Sequence, residues 1–546
     1  MRGRIHVGCR FERESFRKTV GQARAALSSE LKCPLGTQRK GRFTAELERD
    51  EHVTGLGMKR SDLSRIKSGS KWTIAGAVAG VLSQLLIMLS LALFLSPADV
   101  GLFAVFLFTL GLGITLLPLG NDFSFVQADI LSVGDLRRSV LVAVGIALAA
   151  ILAAVLASLS WGKLQPLLMT VIFGIVVGLL EAVFLLFSAA LQRGLNYRAI
   201  EKANILRQIL TLILSISLLA LTGNVEGAYL GRVLSNLAAF TLLLAPLRAA
   251  LERGRPAQRF VTEVSKDIFR ANLIGYLSRN AEILFAAPQL GVAGIGIYDF
   301  GRRIIAQPRT LIGSILLKFT YPLFSGINRI EDHGLSQRFL RRVYRNVLKG
   351  AALVGFPVFG LALLLSDPVI PALFGPEWRQ AVPVVQVFAL FAFVQVLGNN
   401  ITSSALTALG QSGAVLAAEY KTVIPRIAAV VLASFFGPVW VALAMCVADL
   451  GKLLLMQMEL SRGGALGLRT VFAATWPIFA ALAVSLPVGF GVKALLGGLL
   501  GAGVAAAVFV ILFVAVVLLG DPTIRLSVSR AFRGARLGEG ALPWQS

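Results

Sequence analysis

Charged residues are scarce in this sequence. They make up 15% of its 546 residues, whereas soluble domains carry about 25%. Apolar residues make up 56% and run almost without interruption from Trp72 to Leu519. Strict alternation of polar and apolar residues is missing, which argues against a transmembrane β-barrel. The sequence therefore predicts an all-α, polytopic membrane protein.

Cysteine and histidine are also rare. The three cysteines are far apart, at Cys9, Cys33 and Cys446. This spacing predicts neither a disulfide framework nor a zinc site. The three histidines lie outside the apolar spans, at His6, His52 and His333. We therefore expect no metal, no cofactor and no histidine proton relay inside the membrane.

Acidic residues are outnumbered, with 29 Asp and Glu against 53 Lys and Arg, a formal charge of +24. Such an excess is compatible with a nucleic-acid partner. However, the basic residues cluster in short loops between apolar spans, as the positive-inside rule describes. We therefore expect the charge to orient the chain in a lipid bilayer, and we expect no nucleic acid.

The apolar tract divides into fourteen predicted spans, because one helical crossing needs ~20 apolar residues. The spans are 72–95, 100–119, 139–159, 166–190, 203–222, 227–246, 268–289, 294–317, 346–365, 381–408, 414–436, 438–458, 471–490 and 494–519. Basic loops follow the second, fourth, sixth, eighth and twelfth spans, while the odd-numbered connections are short and nearly uncharged. This pattern predicts that both termini are cytoplasmic.

The chain contains an internal repeat. "LSPADVGLFAVF" at 95–106 aligns with "LGVAGIGIYDFG" at 290–301, and Gly101 and Gly296 are one of the identical pairs. Both copies lie at the turn between an odd and an even span. A six-span offset preserves direction, so we expect two parallel repeats about an axis along the membrane normal. Transporters built this way bind substrate between the halves.

The repeat suggests a domain organisation. Residues 1–57 are polar and precede a plausible start at Met58, so we expect a disordered extension there; a small cytoplasmic module and an annotation artefact remain as alternatives. Two six-helix lobes are predicted at 58–260 and 261–460. Two extra helices and a basic cytoplasmic tail are predicted at 461–546.

The eighth span carries charge deep in the membrane. Arg302 and Arg303 lie roughly 12–15 Å below the outer surface at 1.5 Å per residue, where charge usually marks a functional site. Tyr298, Arg302 and Arg309 fall in one narrow arc. Asp299 can pair with Arg303, four residues later. Because arginine donates two parallel hydrogen bonds to a phosphate, the surplus of arginine predicts an anion-receiving cavity.

Other spans add polar residues. The predicted substrate-binding set is Arg302, Arg309, Arg303, Arg279, Tyr298, Tyr276, Asn280 and Arg426. Candidates for ion coupling or ion pairing are Asp299, Glu282, Glu419 and Glu181. Glu419 and Arg426 share a helix face, and Arg207 and Arg232 are further charges in the first half. Interhelical pairing is the structural alternative. It predicts the pairs Asp449–Lys452 and Arg279–Glu282.

Several motifs carry a family resemblance. They are "LSPADVGLFAV", "LQRGLNYR", "LIGYLSRNAEILFAAPQLGVAGIGIYDFGRRIIAQP", "YPLFSGI" and "FGPEWRQAVPVVQVFAL". In this order they resemble the polysaccharide transporter, or O-antigen flippase, family of the multidrug/oligosaccharidyl-lipid/polysaccharide (MOP) exporter superfamily. The match covers roughly Met58 to Gly413. One residue departs from the family pattern, because Glu282 stands where an aspartate is common.

The resemblance implies a fold and a function. It implies two six-helix lobes around a central cavity, plus two C-terminal helices, in the bacterial inner membrane. The implied cargo is a polyprenyl-pyrophosphate-linked oligosaccharide for exopolysaccharide, capsule or O-antigen synthesis, moved without covalent chemistry. A polysaccharide polymerase or export machinery is a candidate partner.

Three alternatives stay open. A lipid II flippase of the same superfamily fits most of the same features. A drug exporter of that superfamily would favour an acidic cavity, whereas these spans carry more arginine than acid. A membrane glycosyltransferase or polysaccharide polymerase would need catalytic groups, commonly on a sizeable outer loop. The longest predicted outer connection, "SDPVIPALFGPEWRQ", is short, and the chain has no Asp-x-Asp pair.

Overall fold

The described part of the chain is almost entirely helical. A computed structural model describes residues 82–127, 131–160, 165–193, 196–251, 263–327, 333–462 and 466–522, with Gly76, Gly80, Ile524 and Arg525. The predicted extension at 1–57 lies outside these residues.

The first half of the described chain, residues 82–251, contains seven helices. They are α1 (Leu82–Phe94), α2 (Pro97–Leu116), the short α3 (Asn121–Gln127), α4 (Val133–Ser160), α5 (Gln165–Arg193), α6 (Tyr197–Thr222) and α7 (Val225–Ala250). Local sequence sets their ends. Ser96 caps α2 by accepting from the backbone of Asp99, and Pro97 occupies the first turn, where no N–H is needed. Gly223 ends α6 in the left-handed conformation at φ 66°.

The second half, residues 263–462, has longer and more irregular helices. They are α8 (Glu263–Arg279), α9 (Ala281–Ile327), α10 (His333–Phe374), a 3₁₀ turn (Pro376–Ala381), α11 (Val382–Val396), a π-helical segment (Leu397–Thr402), α12 (Ser403–Ala408), α13 (Ser412–Ser434) and α14 (Pro438–Arg462). Gly291 interrupts α9 at φ 67° and ψ 176°. This break separates the seventh and eighth predicted spans, as the sequence indicated.

The prediction of a polytopic helical membrane protein is confirmed. Eleven segments among the described residues are long and apolar enough to cross a bilayer. One of them, Phe269–Gly313, covers both the seventh and the eighth predicted spans. Two predicted spans are not among the eleven: the first, described as the short helix Leu82–Phe94, and the eleventh, which is helical at Ser412–Ser434 but carries three charges. The protein is therefore a multi-pass, all-α membrane protein, and the number fourteen stays a prediction.

The internal repeat corresponds to a close contact between the halves. A Cβ atom on Gly101 of α2 would lie 1.9 Å from the carbonyl oxygen of Val292 in α9. A Cβ atom on Gly296 of α9 would lie 1.8 Å from the carbonyl oxygen of Pro97 in α2. The two repeat-equivalent glycines thus let the two backbones touch, as small residues do between membrane helices.

Two C-terminal helices pack on α10. They are α15 (Leu468–Leu496) and α16 (Gly498–Gly520). Phe356 of α10 joins Phe513 of α16 in one apolar cluster. Ion pairs link both ends of this packing: Lys349 Nζ lies 2.6 Å from Asp521 Oδ2, and Lys493 Nζ lies 3.2 Å from Asp367 Oδ2.

Candidate functional site: an arginine-lined cavity between the halves

A cavity of about 460 Å³ lies between the two halves of the described chain. Its walls come from α1, α2, α5, α6 and α7 on one side, and from α8 and α9 on the other. Its charged lining residues are Glu181, Arg207, Arg232, Asp299, Arg302 and Arg303. Apolar side chains, including Phe103 and Phe300, form much of the remaining wall. This position between the repeats is the one that the sequence predicted for a substrate.

The second-half wall contains a compact ion-pair cluster. Arg302 donates to Asp299 Oδ1 at 2.8 Å and also to Glu282. Arg303 donates to the other oxygen of Asp299, so the predicted pair Asp299–Arg303 is confirmed. Glu282 is fully buried, and its Oε2 atom has no hydrogen-bond partner among the described residues. Two arginines and two carboxylates therefore balance each other on this wall.

The predicted pair Arg279–Glu282 is wrong. The helix is interrupted at Asn280, between α8 and α9, and Glu282 points to Arg302 instead. Arg279 is exposed and does not line the cavity. The three-residue spacing predicted the pair only for a continuous helix.

Arg309 also lies away from the cavity lining. It donates to Gln395 of α11, whose amide nitrogen donates in turn to Asp449 of α14 at 2.7 Å. Arg426 of α13 donates to the other oxygen of Asp449, also at 2.7 Å. The structure thus separates Arg309 and Arg426 from Arg302 and places them in a network among α9, α11, α13 and α14.

The predicted pair Asp449–Lys452 is wrong as well. Lys452 Nζ lies 2.5 Å from Glu419 Oε2, while Asp449 pairs with Arg426. The face predicted for Glu419 and Arg426 is confirmed by a 3.7 Å contact. Neighbouring helices offered each charge a closer partner than the residue one turn away on its own helix.

Three predicted polar residues in α8, in α9 and at the junction between them have distinct positions. Tyr276 lines the cavity and donates to the carbonyl of Phe108 in α2 at 2.7 Å, which connects the halves. Asn280 also lines the cavity. Tyr298 is fully buried, and Arg302 stands 5.9 Å above its ring. Tyr276 and Asn280 are therefore accessible from the cavity, whereas Tyr298 supports Arg302 from behind.

The first-half wall carries two arginines that the predicted binding set omitted. Arg207 Nη1 of α6 lies 3.2 Å from Glu181 Oε1 of α5, and Arg232 Nη1 of α7 lies 4.0 Å from the same oxygen. The Nε atoms of both arginines are buried without a hydrogen-bond partner among the described residues. Their charge at bilayer depth was the available signal, but only the fold shows that they line the same cavity as Arg303.

Comparisons with known proteins agree with this architecture. Residues 90–383, just over half of the chain, match the family described as polysaccharide biosynthesis protein. The chain therefore belongs to this family.

Two curated relatives come from bacteria. The "Teichuronic acid biosynthesis protein TuaB" of Bacillus subtilis (strain 168) is 28% identical over 41% of this chain and 45% of its own length. The "Lipopolysaccharide biosynthesis protein WzxC" of Escherichia coli (strain K12) is 23% identical over 62% of this chain and 68% of its own length. The first match thus spans less than half of the relative, and the second about two thirds.

A solved structure shares the fold. "Lipid II flippase MurJ, inward closed conformation" aligns with a TM-score of 0.60 and 12% identity, over 82% of this chain and 98% of its own. At this identity the likeness concerns the fold. The predicted MOP-like architecture is confirmed.

Proposed function

We infer that the protein is a flippase for polyprenyl-pyrophosphate-linked oligosaccharide repeat units. It moves them from the inner to the outer leaflet of the bacterial inner membrane, for exopolysaccharide, capsule or O-antigen synthesis. The observation that carries this proposal is the arginine-lined cavity between the halves, in a chain of the polysaccharide biosynthesis family.

The cavity fits the polar part of such a cargo. Four arginines and two carboxylates line it, so an anionic group meets surplus positive charge away from bulk water. The isoprenoid tail stays in the lipid. Two parallel halves that rock against each other give alternating access to a site between them. The step needs no covalent chemistry, and the product on the outer face is then available to a polymerase or to export machinery.

Deletion and complementation test this function. Deleting the gene in its source strain should remove the surface polysaccharide and cause lipid-linked oligosaccharide to build up in the inner leaflet. Wild-type protein should reverse both effects. A matched pair of variants then probes the cavity: Arg303→Ala should fail to complement, whereas Arg345→Ala, an exposed arginine of α10 outside the cavity lining, should succeed.

The deletion strain also distinguishes a lipid-linked oligosaccharide cargo from a lipid II cargo. Accumulation of lipid II, with a normal level of lipid-linked oligosaccharide, would identify the cargo as lipid II. A normal surface polysaccharide in the deletion strain would contradict the proposed function altogether.

A further inference from the structure

The positive charge of the cavity is unevenly distributed between its walls. On the second-half wall, Arg302 and Arg303 meet two carboxylates, because Glu282 lies directly behind the cluster. On the first-half wall, Arg207 and Arg232 share the single carboxylate of Glu181. Among the described residues that border the cavity, the uncompensated charge therefore belongs to the first half.

We propose that Arg207 and Arg232 form the anion-binding half-site of the cavity. This half-site takes phosphate or carboxylate oxygens of the cargo, and the inference rests on the proposed function for the nature of that cargo. A planar carboxylate and a tetrahedral phosphate each present two oxygens that one guanidinium group can bind through parallel hydrogen bonds. A pyrophosphate and an acidic sugar are the two sources of such oxygens.

The half-site has free donors. The terminal nitrogens of Arg207 contact Glu181 and donate to Asn204 Oδ1, the latter at 3.0 Å. Its Nε is buried without a partner among the described residues. Arg232 contacts Glu181 only at 4.0 Å, which is beyond hydrogen-bond distance, and its Nε is likewise buried and unpartnered. Buried donors without acceptors are costly. Because both Nε atoms are shielded from the cavity, a ligand binds the terminal nitrogens, and those of Arg232 have no acceptor within hydrogen-bond distance among the described residues.

The scaffold behind the half-site fixes the two arginines relative to each other. The hydroxyls of Thr211 in α6 and Ser235 in α7 lie 2.6 Å apart. Each also lies within hydrogen-bond distance of the backbone carbonyl of one arginine, Arg207 at 2.7 Å and Arg232 at 3.0 Å. This bridge connects the helices directly behind the two side chains, so the pair is prepositioned rather than assembled by the ligand.

Aromatic rings and a facing charge complete the site. The guanidinium of Arg207 stands 4.7 Å from the ring of Phe184, and that of Arg232 stands 5.9 Å from the ring of Phe103. Arg303 lines the opposite wall of the same cavity, so the like charges of the two walls repel one another across it. An anion between the walls relieves this repulsion, and it competes with Glu181 for the two arginines. Glu181 is thus the carboxylate that a bound anion replaces as the partner of the two arginines.

Binding to the purified full-length protein tests the half-site. The probes are farnesyl pyrophosphate and a disaccharide that ends in glucuronic acid. Arg207→Gln and Arg232→Gln should each weaken binding of at least one probe by about 10-fold or more, the loss expected for a charge-assisted hydrogen bond. Arg198→Gln and Arg248→Gln remove the same charge from exposed positions on the same two helices, and should leave binding within about twofold, as surface charges do.

Glu181→Gln provides an independent readout. It removes the competing carboxylate, so it should tighten probe binding by roughly threefold or more. If the arginines serve only as structural partners of Glu181, this variant will weaken binding or leave it unchanged, which would overturn the half-site even where an arginine variant fails to fold.

The remaining outcomes distinguish the two proposals. Loss of farnesyl pyrophosphate binding identifies the pyrophosphate as the source of the anion, and loss of disaccharide binding identifies the acidic sugar. Arginine variants that bind both probes as tightly as the wild type refute the half-site while leaving the flippase function intact. Wild-type protein that binds neither probe refutes the proposed cargo itself.

Discussion

The charged residues of the ion-pair cluster on the second-half wall neutralise one another's charge. Among them, Glu282 depends most on its partner. It is fully buried and pairs with Arg302. Removing one partner of a buried ion pair costs about 3–5 kcal/mol, because an uncompensated charge remains. Arg302→Ala should therefore lower the melting temperature of the purified protein.

Adding Glu282→Gln to Arg302→Ala should recover most of that loss, because no isolated charge remains. Fluorescence-detected thermal unfolding in detergent measures both variants. The single variant Glu282→Gln serves as the control for loss of the carboxylate. An equally large loss in the double variant would show that Arg302 stabilises the fold through contacts other than Glu282.

The partner of Asp449 can be tested by comparing the stability of an Asp449 variant with that of a Lys452 variant. Arg426 is 2% exposed and lies 2.7 Å from Asp449, whereas Glu419 keeps Arg426 as a partner at 3.7 Å when Lys452 is removed. Asp449→Asn should therefore destabilise the protein more than Lys452→Gln does. Melting temperatures of the two variants check this order. Equal losses would instead support a pair formed by Asp449 and Lys452 alone.

At the scale of helices, the contact between α2 and α9 depends on the absence of side chains. Each repeat-equivalent glycine approaches a backbone carbonyl so closely that a methyl group would force the helices apart. Gly101→Ala and Gly296→Ala should both lower thermal stability, although alanine is by itself the better helix former by about 1 kcal/mol.

Gly145→Ala is the matched control for this pair. Gly145 lies within α4, and a Cβ atom there would meet nothing within 4 Å. Alanine at this position should leave the melting temperature unchanged or raise it. A loss at Gly145 as large as that at Gly101 would show that the effect comes from glycine replacement in general and not from the contact between the halves.

For the whole molecule, composition and periodicity were sufficient to predict the fold class. Only α-helices and closed β-barrels can span a lipid bilayer, and this chain lacks the alternation of polar and apolar residues that a barrel needs. The repeat motif predicted two parallel halves, but the close backbone contact that Gly101 and Gly296 allow between them is a finding of the structure. Pairing within one helix succeeded for Asp299 and Arg303. It failed for Glu282, whose partner Arg302 lies 20 residues later, beyond the break at Gly291, and for Asp449, whose partner Arg426 belongs to another helix.

The first-half arginines show the same limit for the site. Arg207 and Arg232 belong to different helices, and no spacing in the sequence indicates that both approach Glu181. Their convergence depends on how α5, α6 and α7 pack. The sequence could therefore identify costly charges at bilayer depth, but it could not determine which of them share a cavity. Arg309 was grouped with Arg302 on helix periodicity, and Arg279 was added as a charge of the neighbouring span. The packed structure separates both from Arg302.

The orientation of the whole chain in the membrane follows from loop charge and remains a prediction. The connection between α6 and α7 is short and contains Asn224, whereas Gln411 lies at the start of α13, on the side predicted to be cytoplasmic. Both residues are exposed. In a background without native cysteines, Asn224→Cys should react with a membrane-impermeant maleimide in intact cells. Gln411→Cys should react only after permeabilisation. Its own connection carries no basic residue, but the predicted topology places it on the same side as the basic loops, which the positive-inside rule retains in the cytoplasm. The opposite labelling pattern would invert the topology and place the entry side of the proposed flippase outside the cell.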